Sequence, residues 1–453
     1  MKTRFSIFCL VLLAFVSFSG CPKSPETGAP PEQPAVTPAT TPQPVSSRET
    51  PEEKAVRERV VQLGGTCTNH REGKMIGVRI ENNELTLDDM QLIAKLTDLE
   101  SIRLWGPSVN DKYVEAIRGL TKLKSVDIEN SGITDQSLEI LKTLPDIETL
   151  SLRRNVDFTD QAVALFAEFP NLKTLNILYN GFSPASLFGL GKLGSIRVLD
   201  LRGLQIGDDT LIFIAKLENL EEIHIRSTLV TNAGIAFLKR CKNLKILELQ
   251  DTEISRGCAE HFKDMENLRS LRIFRAKEFG AEDIAELGAL TSLETLELRN
   301  MNCNNDALKA LKPLTALKTL ELSELTDVDE ETLIDMLKAF PKLESIRMFA
   351  MPVGDPVANY LATVPSLKSV GLPATTLTDK GLESLTAIQG LTSLDIHGNK
   401  EHITLQGARA LAKFKNLRRL IIPETLDDKA LQSEILKSSP RCVITPKTYS
   451  QEG

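Results

Sequence analysis

The chain has 453 residues, with 54 basic and 61 acidic side chains and a formal net charge of −7. This length would ordinarily suggest two or three globular domains, but the rule fails for repeat arrays. The excess of acidic residues argues against a nucleic-acid partner. Aromatic residues make up only 5% of the sequence, so leucine and isoleucine must form most of the core.

The first twenty residues have the pattern of an export signal. A basic start is followed by a largely apolar run at 5–18, which is shorter than the roughly 20 residues that a membrane-spanning helix needs. Two small residues then precede Cys21. The arrangement resembles the bacterial lipoprotein signal, although Phe18 stands where that signal usually has leucine. The resemblance implies a lipidated Cys21, and the alternative is ordinary cleavage that releases a secreted protein.

A proline-rich stretch follows the signal. Nine of the thirty residues at 22–51 are proline, and the rest are mostly small or polar. Such a composition cannot bury a core and favours an extended chain, so we interpret 21–50 as a tether. Removal of the signal takes away two basic residues, which leaves a mature charge of 52 − 61 = −9.

The cysteines beyond Cys21 do not indicate a disulfide framework or a metal site. Five remain, at irregular spacing and in odd number. Cys241 and Cys303 stand at positions that are otherwise leucine or isoleucine in the repeat described next. We therefore expect them to act as small buried hydrophobic residues.

One phrase, L-x-x-L-x-x-L-x-L, recurs along almost the whole chain. Its copies are 24 to 26 residues apart, and apolar and polar residues alternate at its end, as in a short strand with one buried face. The third apolar residue of the phrase recurs at Ile102, Val126, Leu150, Leu175, Leu199, Ile223, Leu247, Leu271, Leu296, Leu320, Ile346, Val370, Leu394 and Leu420.

The second half of each unit predicts a short helix, because a capping residue is followed by apolar residues at helical spacing. The predicted caps are Thr134, Thr159, Ser183, Thr231, Ser255, Asn304, Asp329, Thr378 and Thr404.

A period of this length with this phrase resembles the leucine-rich-repeat family, from about residue 75 to the C-terminus. The resemblance implies an α/β leucine-rich-repeat solenoid: an open arc with a parallel sheet on the concave side and short helices on the convex side. We expect 14 to 15 repeats within 77–440. The proline-containing start of 51–76 predicts a capping helix followed by a loop. The stretch at 441–453 is expected to form a C-terminal cap and tail.

The turn asparagine that bridges neighbouring repeats is present in only some units. It is found at Asn155, Asn180 and Asn399, threonine replaces it at positions such as Thr228, and apolar residues such as Leu325 replace it elsewhere. We therefore expect an incomplete ladder of side-chain hydrogen bonds along that edge of the sheet.

The residues between the repeat leucines are expected to line the concave surface. They form two columns that together hold eight acidic residues and eight arginines, which suits a protein or peptide partner better than a polyanion. Arginine and aromatic side chains most often dominate binding energy. The predicted partner-binding patch is Arg153, Leu178, Arg202, His224, Arg226, Arg272, Phe274 and Arg299. The alternative is a solvated face whose arginines pair across strands with Asp200, Glu248 and Glu297.

Catalytic signatures are not found, and we expect no enzyme activity, cofactor or metal. The G-x-G-x-x-G match at 189–194 precedes a strand instead of following one, and neither a phosphate-binding loop nor a nucleophile elbow is present. Asp395, His397 and His402 are close in sequence, but their spacing fits no zinc motif, and a surface loop explains them more simply.

The favoured interpretation is a non-catalytic recognition module, similar to leucine-rich-repeat lipoproteins and secreted repeat proteins of bacteria. It would be a monomer, anchored by lipid to the bacterial cell envelope or secreted. The alternatives are a structural envelope scaffold, or a targeting subunit for an enzyme on another chain. An Ile-Thr-Asp-x-x-Leu phrase also resembles ubiquitin-ligase adaptors, but those carry an adaptor domain where this chain has its signal and tether.

Overall fold

The structure is a computed structural model that describes residues 49–70, 73–82, 84–325 and 327–448. The predicted signal at 1–20, the lipidation site Cys21 and nearly all of the tether at 21–50 lie outside the described residues.

The described residues form one sheet of 17 strands. In chain order these are β1 Thr66–Asn69, β2 Met75–Glu81, β3 Ser101–Trp105, β4 Ser125–Glu129, β5 Thr149–Arg153, β6 Thr174–Asn176, β7 Val198–Asp200, β8 Glu222–Arg226, β9 Ile246–Gln250, β10 Ser270–Phe274, β11 Thr295–Arg299, β12 Thr319–Ser323, β13 Ser345–Phe349, β14 Ser369–Gly371, β15 Ser393–Asp395, β16 Arg419–Pro423 and β17 Val443–Lys447.

Short helices alternate with these strands. The α-helices are α1 Pro51–Gln62, α2 Leu87–Ile93, α3 Asp111–Ala116, α4 Asp135–Leu141, α5 Gln161–Phe166, α6 Asp208–Ile214, α7 Asn232–Leu238, α8 Ala259–Lys263, α9 Ala281–Glu286, α10 Asn305–Ala310, α11 Glu330–Leu337, α12 Asp355–Leu361, α13 Asp379–Leu385, α14 Leu405–Ala408 and α15 Lys429–Ser438. Four segments are 3-10 helices: Ser186–Lys192, Leu287–Ala289, Arg409–Lys413 and Glu424–Leu426.

From β2 to β17 each strand pairs in parallel with the next one along the chain. Equivalent repeat positions face each other, as Leu271 faces Leu296 and Arg272 faces Glu297. The repeat leucines are buried in one continuous core, and the residues between them lie on the other face of the sheet. This is the predicted leucine-rich-repeat solenoid, with the sheet on the concave side and the helices on the convex side.

The N-terminal end of the sheet differs from the prediction of a loop between the first helix and the array. Residues Thr66–Asn69 form β1, which pairs antiparallel with β2 and covers its outer edge. Helix α1 precedes it and begins with a capping box in which Thr50 and Glu53 exchange hydrogen bonds. The short strand escaped sequence analysis because it lies outside the repeat and has no alternating pattern of its own.

Neighbouring helices are joined by an aspartate ladder on the convex side. Asp379, at the start of α13, accepts hydrogen bonds from the backbone N–H and the hydroxyl of Thr404 in the next repeat, at 2.8 and 2.7 Å. Gly407 makes room for it, because a Cβ there would lie 1.9 Å from the Asp379 carboxyl carbon. The same pairing is made by Asp111 with Thr134, Asp135 with Thr159, Asp160 with Ser183, Asp208 with Thr231 and Asp355 with Thr378.

Replacing Asp379 with alanine is expected to lower the free energy of unfolding by about 1 kcal/mol, since two hydrogen bonds at a largely exposed site are lost. The shift of the urea midpoint measures it. Asp306 is the matched control: it also stands in the first turn of a repeat helix, but its side chain is 92% exposed. An equal loss for Asp306→Ala would contradict a role for the ladder.

The asparagine ladder is incomplete, as the sequence predicts. The backbone N–H of Asn155 donates to Asn180 Oδ1 at 2.8 Å, and Asn399 Oδ1 accepts from the backbone of Thr375 at 2.8 Å. The assignment of Thr228 to this row is wrong, because Thr228 is exposed and Ser227 takes the buried position. Ser227 Oγ donates to the Ile206 carbonyl at 2.7 Å, in the loop before α6, and not to a strand carbonyl such as that of Ile128, which Asn155 binds.

Candidate binding surface

The predicted patch spans the part of the sheet from β5 to β11, with Leu178 and Arg202 just beyond the ends of β6 and β7, and the sheet brings its residues into adjacent rows. Its residues come from positions 153 to 299, yet parallel pairing in equivalent register places them side by side. The patch is therefore continuous on the concave face. Its charged side chains are not free in solvent, because most of them pair with carboxylates on the same or neighbouring strands.

Glu248, on β9, is the centre of the charged network. Its side chain is 2% exposed, and it accepts a hydrogen bond from Arg202 Nη1 at 3.1 Å. His224 Nδ1 lies 2.8 Å from its second carboxylate oxygen, and Arg272 Nη1 lies 3.6 Å from that oxygen. Burial alone would raise the pKa of Glu248, but His224 and the two guanidinium groups lower it. Glu248 is thus a buried anion shared by three cationic groups.

His224 is held between two carboxylates. Its ring nitrogens lie 2.8 Å from Glu248 and 2.5 Å from Glu222, and its side chain is 11% exposed. Burial alone would lower the pKa of His224, but the hydrogen bonds to Glu222 and Glu248, together with nearby Asp200, raise it to about 9. The imidazole is therefore a cation at neutral pH.

Arg272 joins this network to Glu297 on β11. Its Nε donates to Glu297 at 2.9 Å, and the Glu297 side chain is 14% exposed. Burial raises the pKa of Glu297 to about 7, and the nearby carboxylate of Glu321 adds to the effect, although Arg272 opposes it. One carboxyl on the concave face is consequently only partly ionised at neutral pH.

The remaining arginines of the patch are also paired. Arg153 contacts Asp127 and Glu129, while Arg226 Nε donates to Asp251 at 2.6 Å. Arg299 contacts Glu324 at 3.1 Å, and its guanidinium lies 5.5 Å from the ring centre of Phe349.

The apolar members Leu178 and Phe274 are each 6% exposed. Arg202 and Arg272 make the ion pairs with carboxylates that the alternative interpretation of the patch describes. Because these contacts hold the side chains in place, the patch is a pre-ordered polar surface. Its use as the partner-binding surface stays a prediction.

A second network lies towards the C-terminal end of the sheet. Arg347, on β13, reaches past β14 to Asp395 on β15, with 2.6 Å between Nη1 and Oδ2. Gly371 stands between them, and a Cβ there would lie 3.2 Å from the Arg347 side chain. Asp395 Oδ1 holds His397 Nδ1 at 2.6 Å. The surface-loop explanation of Asp395 and His397 is therefore wrong, because β15 ends at Asp395 and His397 is fully buried.

Sequence reasoning missed an aromatic residue at the rim of the patch. Tyr179 is 38% exposed, the Arg154 guanidinium lies 5.3 Å from its ring centre, and its hydroxyl accepts a hydrogen bond from Arg226 Nη1 at 3.3 Å. Tyr179 and Arg154 follow the second surface column by one residue. A third column, read one position beyond the second, would have included both.

The opposite edge of the sheet carries a row of exposed ion pairs between successive repeats. Each of the pairs named below joins a lysine to a glutamate of the preceding repeat, and such pairs are worth little individually. Arg197, Arg269 and Arg418 stand in the same row, so basic residues outnumber acidic ones along this edge. The pairs are Lys124 with Glu100, Lys173 with Glu148, Lys245 with Glu221, Lys318 with Glu294 and Lys368 with Glu344.

Within the ranges that the structure describes, no helix is long and apolar enough to cross a membrane. In the same part of the chain, no three histidine, cysteine, aspartate or glutamate side chains are grouped so that they could hold a metal ion.

No protein-family model matches the sequence, and no curated protein sequence matches it. Solved structures do match. The Rad7–Elc1 complex of yeast has a chain 18% identical with a TM-score of 0.53, over 87% of this chain and 92% of that one. An internalin from Listeria monocytogenes is 17% identical with a TM-score of 0.46, over 76% and 94%. A leucine-rich-repeat protein of Leptospira interrogans is 16% identical with a TM-score of 0.43, over 80% and 95%.

The register of the sheet, the buried repeat leucines and the 24-residue period define the class of protein: a leucine-rich-repeat solenoid. At 18% identity the similarity to a chain of the Rad7–Elc1 complex extends to the fold alone, and a shared fold does not imply a shared function.

Proposed function

We propose that the protein is a non-catalytic recognition module that binds a protein or peptide partner through its concave face. The observation that supports this most directly is the ordered network centred on Glu248. Arg202 and His224 are held there by buried carboxylates, so a partner would meet a rigid polar surface. Such pre-ordering reduces the entropy lost on binding. The match to a chain of the Rad7–Elc1 complex is consistent with a protein partner.

We also propose that the protein is anchored at the bacterial cell envelope. The signal-like segment at 1–20, Cys21 and the proline-rich stretch at 21–50 support anchoring at the bacterial cell envelope, with the tether holding a monomeric solenoid away from the membrane. A structural envelope scaffold is the second candidate. The row of ion pairs that joins successive repeats along the opposite sheet edge is the observation that favours it.

The concave face is tested by adding bulk without removing a contact. Gln250 lies at the end of β9, within the patch, and we expect Gln250→Trp to abolish capture of the native partner from host envelope extracts, because the new side chain blocks close approach. Glu260, on the convex helix α8, is exposed, and Glu260→Trp is the control. Capture that persists in Gln250→Trp would contradict concave-face binding, and a scaffold role would then be favoured.

The anchor is tested separately by fractionation and intact mass of the mature N-terminus from the native host. We expect an acylated Cys21 in the membrane fraction, and a soluble product from Cys21→Ser. An unprocessed Met1 in the cytosol would overturn the anchor and the location, although the solenoid would remain a candidate recognition module.

A further inference from the structure

We propose that the outer faces of four successive convex segments, α5, Ser186–Lys192, α6 and α7, form a stripe that docks on a membrane of anionic phospholipid. This inference rests on the proposed envelope anchor, and it adds a second, reversible contact with the same membrane. The tether would allow the solenoid to stand away from the membrane, and the stripe would hold it on the surface with the concave face turned outward. The convex stripe consists of Leu165, Phe188, Ile212, Phe213 and Phe237.

The convex stripe is apolar where neighbouring repeats are charged. Its side chains come from two adjacent positions on the outer face of each segment, and at the first of these positions the flanking helices α4 and α8 have Glu139 and Glu260. Ile212 is 37% exposed, and the other four members are half-buried. A continuous run of large apolar side chains on the outside of a solenoid adds little to its core, so it indicates a surface that makes a contact.

A glycine brings two rings of the stripe together. The segment Ser186–Lys192 is a 3-10 helix, and a Cβ on its Gly191 would lie 2.7 Å from the backbone oxygen of Phe213. Because glycine allows this close approach, the rings of Phe188 and Phe213 stack with 4.8 Å between their centres and 16° between their planes. The glycine belongs to the G-x-G-x-x-G match at 189–194, which therefore has a packing role here.

A row of basic residues borders the stripe at the ends of the same segments. Lys192, Lys216 and Arg240 are exposed, and among the described residues none of them forms an ion pair with a carboxylate. The row is confined to this region, because the equivalent positions in the repeats on either side are Glu168 and Asp264. The arginines of the concave patch are paired with carboxylates, whereas these three cations are left for an external anion.

Two of the three cations lie against the stripe itself. The Lys216 ammonium is 4.6 Å from the ring centre of Phe213, and the Arg240 guanidinium is 6.0 Å from that of Phe237. This arrangement suits a membrane interface, where an apolar ring enters the boundary of the acyl chains and the basic group stays among the lipid phosphates. The stripe and the basic row thus supply the two attractions by which an amphipathic surface binds anionic lipid.

A bilayer fits this surface better than a polypeptide does. Bound peptides usually occupy a groove or extend a sheet, whereas these side chains project from the outer faces of convex helices. An extended tether of 30 residues would span up to roughly 90 Å, and β2 and β8 are only about 30 Å apart along the sheet, so the stripe can reach the membrane that holds Cys21. The chain is acidic overall, so anionic lipid would be attracted only by a local basic surface.

The test measures how strongly the chain at 21–453 with Cys21→Ser partitions to lipid vesicles, by sedimentation. The signal-like segment and an acyl group are left out because each would bind vesicles by itself. The described helices, strands and core lie at 49–448, so this chain keeps the fold. Vesicles of phosphatidylcholine and phosphatidylglycerol in equal parts are compared with vesicles of phosphatidylcholine alone. We expect at least about tenfold stronger partition to the anionic vesicles.

The basic row is tested by a triple variant with glutamine at its three positions, which is expected to weaken partition to the anionic vesicles by at least about tenfold. The substitutions are Lys192→Gln, Lys216→Gln and Arg240→Gln. The matched control removes the same charge from three exposed lysines at distant convex helices, and its partition is expected to stay unchanged. The control substitutions are Lys309→Gln, Lys338→Gln and Lys380→Gln.

The apolar stripe is tested by Ile212→Gln, which is expected to weaken partition about fivefold, because a side chain that would enter the lipid is lost. Ile212 is exposed on α6 and glutamine favours a helix, so the variant is expected to fold normally. Val61→Gln is the control, since Val61 is an apolar side chain that is 64% exposed on α1, outside the stripe.

Equal partition to both kinds of vesicle would overturn the inference, as would an unchanged triple variant. A dimer that forms without lipid and is disrupted by Ile212→Gln would assign the stripe to a second copy of the chain instead. The outcome is separable from that of the envelope anchor, which is read from the mass of the N-terminus. An acylated Cys21 in the native host, with no partition of the Cys21→Ser chain, would remove the stripe alone. An unprocessed Met1 with the expected partition would remove the anchor alone.

Discussion

Replacing Glu248 with glutamine is expected to lower the free energy of unfolding by about 3 kcal/mol. The side chain is 2% exposed, and its charge compensates His224 and Arg272 on the neighbouring strands β8 and β10 and Arg202, which follows β7. Removing one partner of a buried ionic network leaves the others desolvated and uncompensated, which costs several kcal/mol. Glutamine keeps the shape and one acceptor oxygen, so the expected loss lies at the lower end of that range.

Urea denaturation of the variant measures this loss, and Glu148→Gln is the matched control. Glu148 also pairs across strands, with Lys173 at 2.6 Å, but its side chain is 45% exposed. Water replaces the lost contact there, so we expect a much smaller change. Similar shifts for both variants would show that the central network has no special stabilising role. The array has many repeats, so the midpoint and the steepness of the transition are both compared.

The stability of the protein is expected to fall as the pH rises from about 6.5 through 9, because of His224. Its folded-state pKa is about 9, above the ordinary value of 6.5, so folding favours the imidazolium. The stabilisation is fully present below pH 6.5 and is lost as the pH rises through 9. A pKa difference of this size corresponds to a contribution of about 3 kcal/mol at most to the free energy of unfolding. Glu297 also makes stability fall with rising pH, but in a lower pH range, since its pKa is raised from 4.5 to about 7.

The measurement is the urea midpoint across this pH range for the wild type and for His224→Gln. The wild type is expected to lose stability steadily across it, and the variant to be less stable at the acidic end and nearly flat above neutral pH. Parallel curves for the two proteins would contradict the assignment to His224. Glu297→Gln removes the carboxyl whose protonation is favoured on folding. The change in stability in the lower pH range is therefore expected to disappear in this variant, while the change due to His224 remains.

The repeat could be predicted from sequence because its signals are local. The alternation of apolar and polar residues around Leu271 and Leu296 follows from strand geometry. The capping residues Thr134 and Thr378 stand next to the helices that they start. The incomplete asparagine ladder was predictable for the same reason. Strand β1 was not, because a four-residue segment at 66–69 has no repeat partner and forms only by pairing with β2.

The concave patch was predictable as a set of residues but not as a set of contacts. The columns place Arg202, His224 and Glu248 on one face, which parallel register then makes adjacent. Their pairing pattern depends on how far each side chain reaches. Arg202 passes β8 to contact Glu248, and Arg347 crosses Gly371 to contact Asp395. Both contacts join residues 46 to 48 positions apart, which no short motif records.

The sequence by itself determined the solenoid, its period and the direction in which each strand residue points, because these follow from periodic burial of leucine in every unit. Tertiary structure decided the rest: the burial and charge of Glu248 and His224, and the exposure of Tyr179 above Gly203. These properties arise from stacking one repeat on the next. Each residue's dielectric environment and backbone conformation depend on neighbours that are distant in the chain.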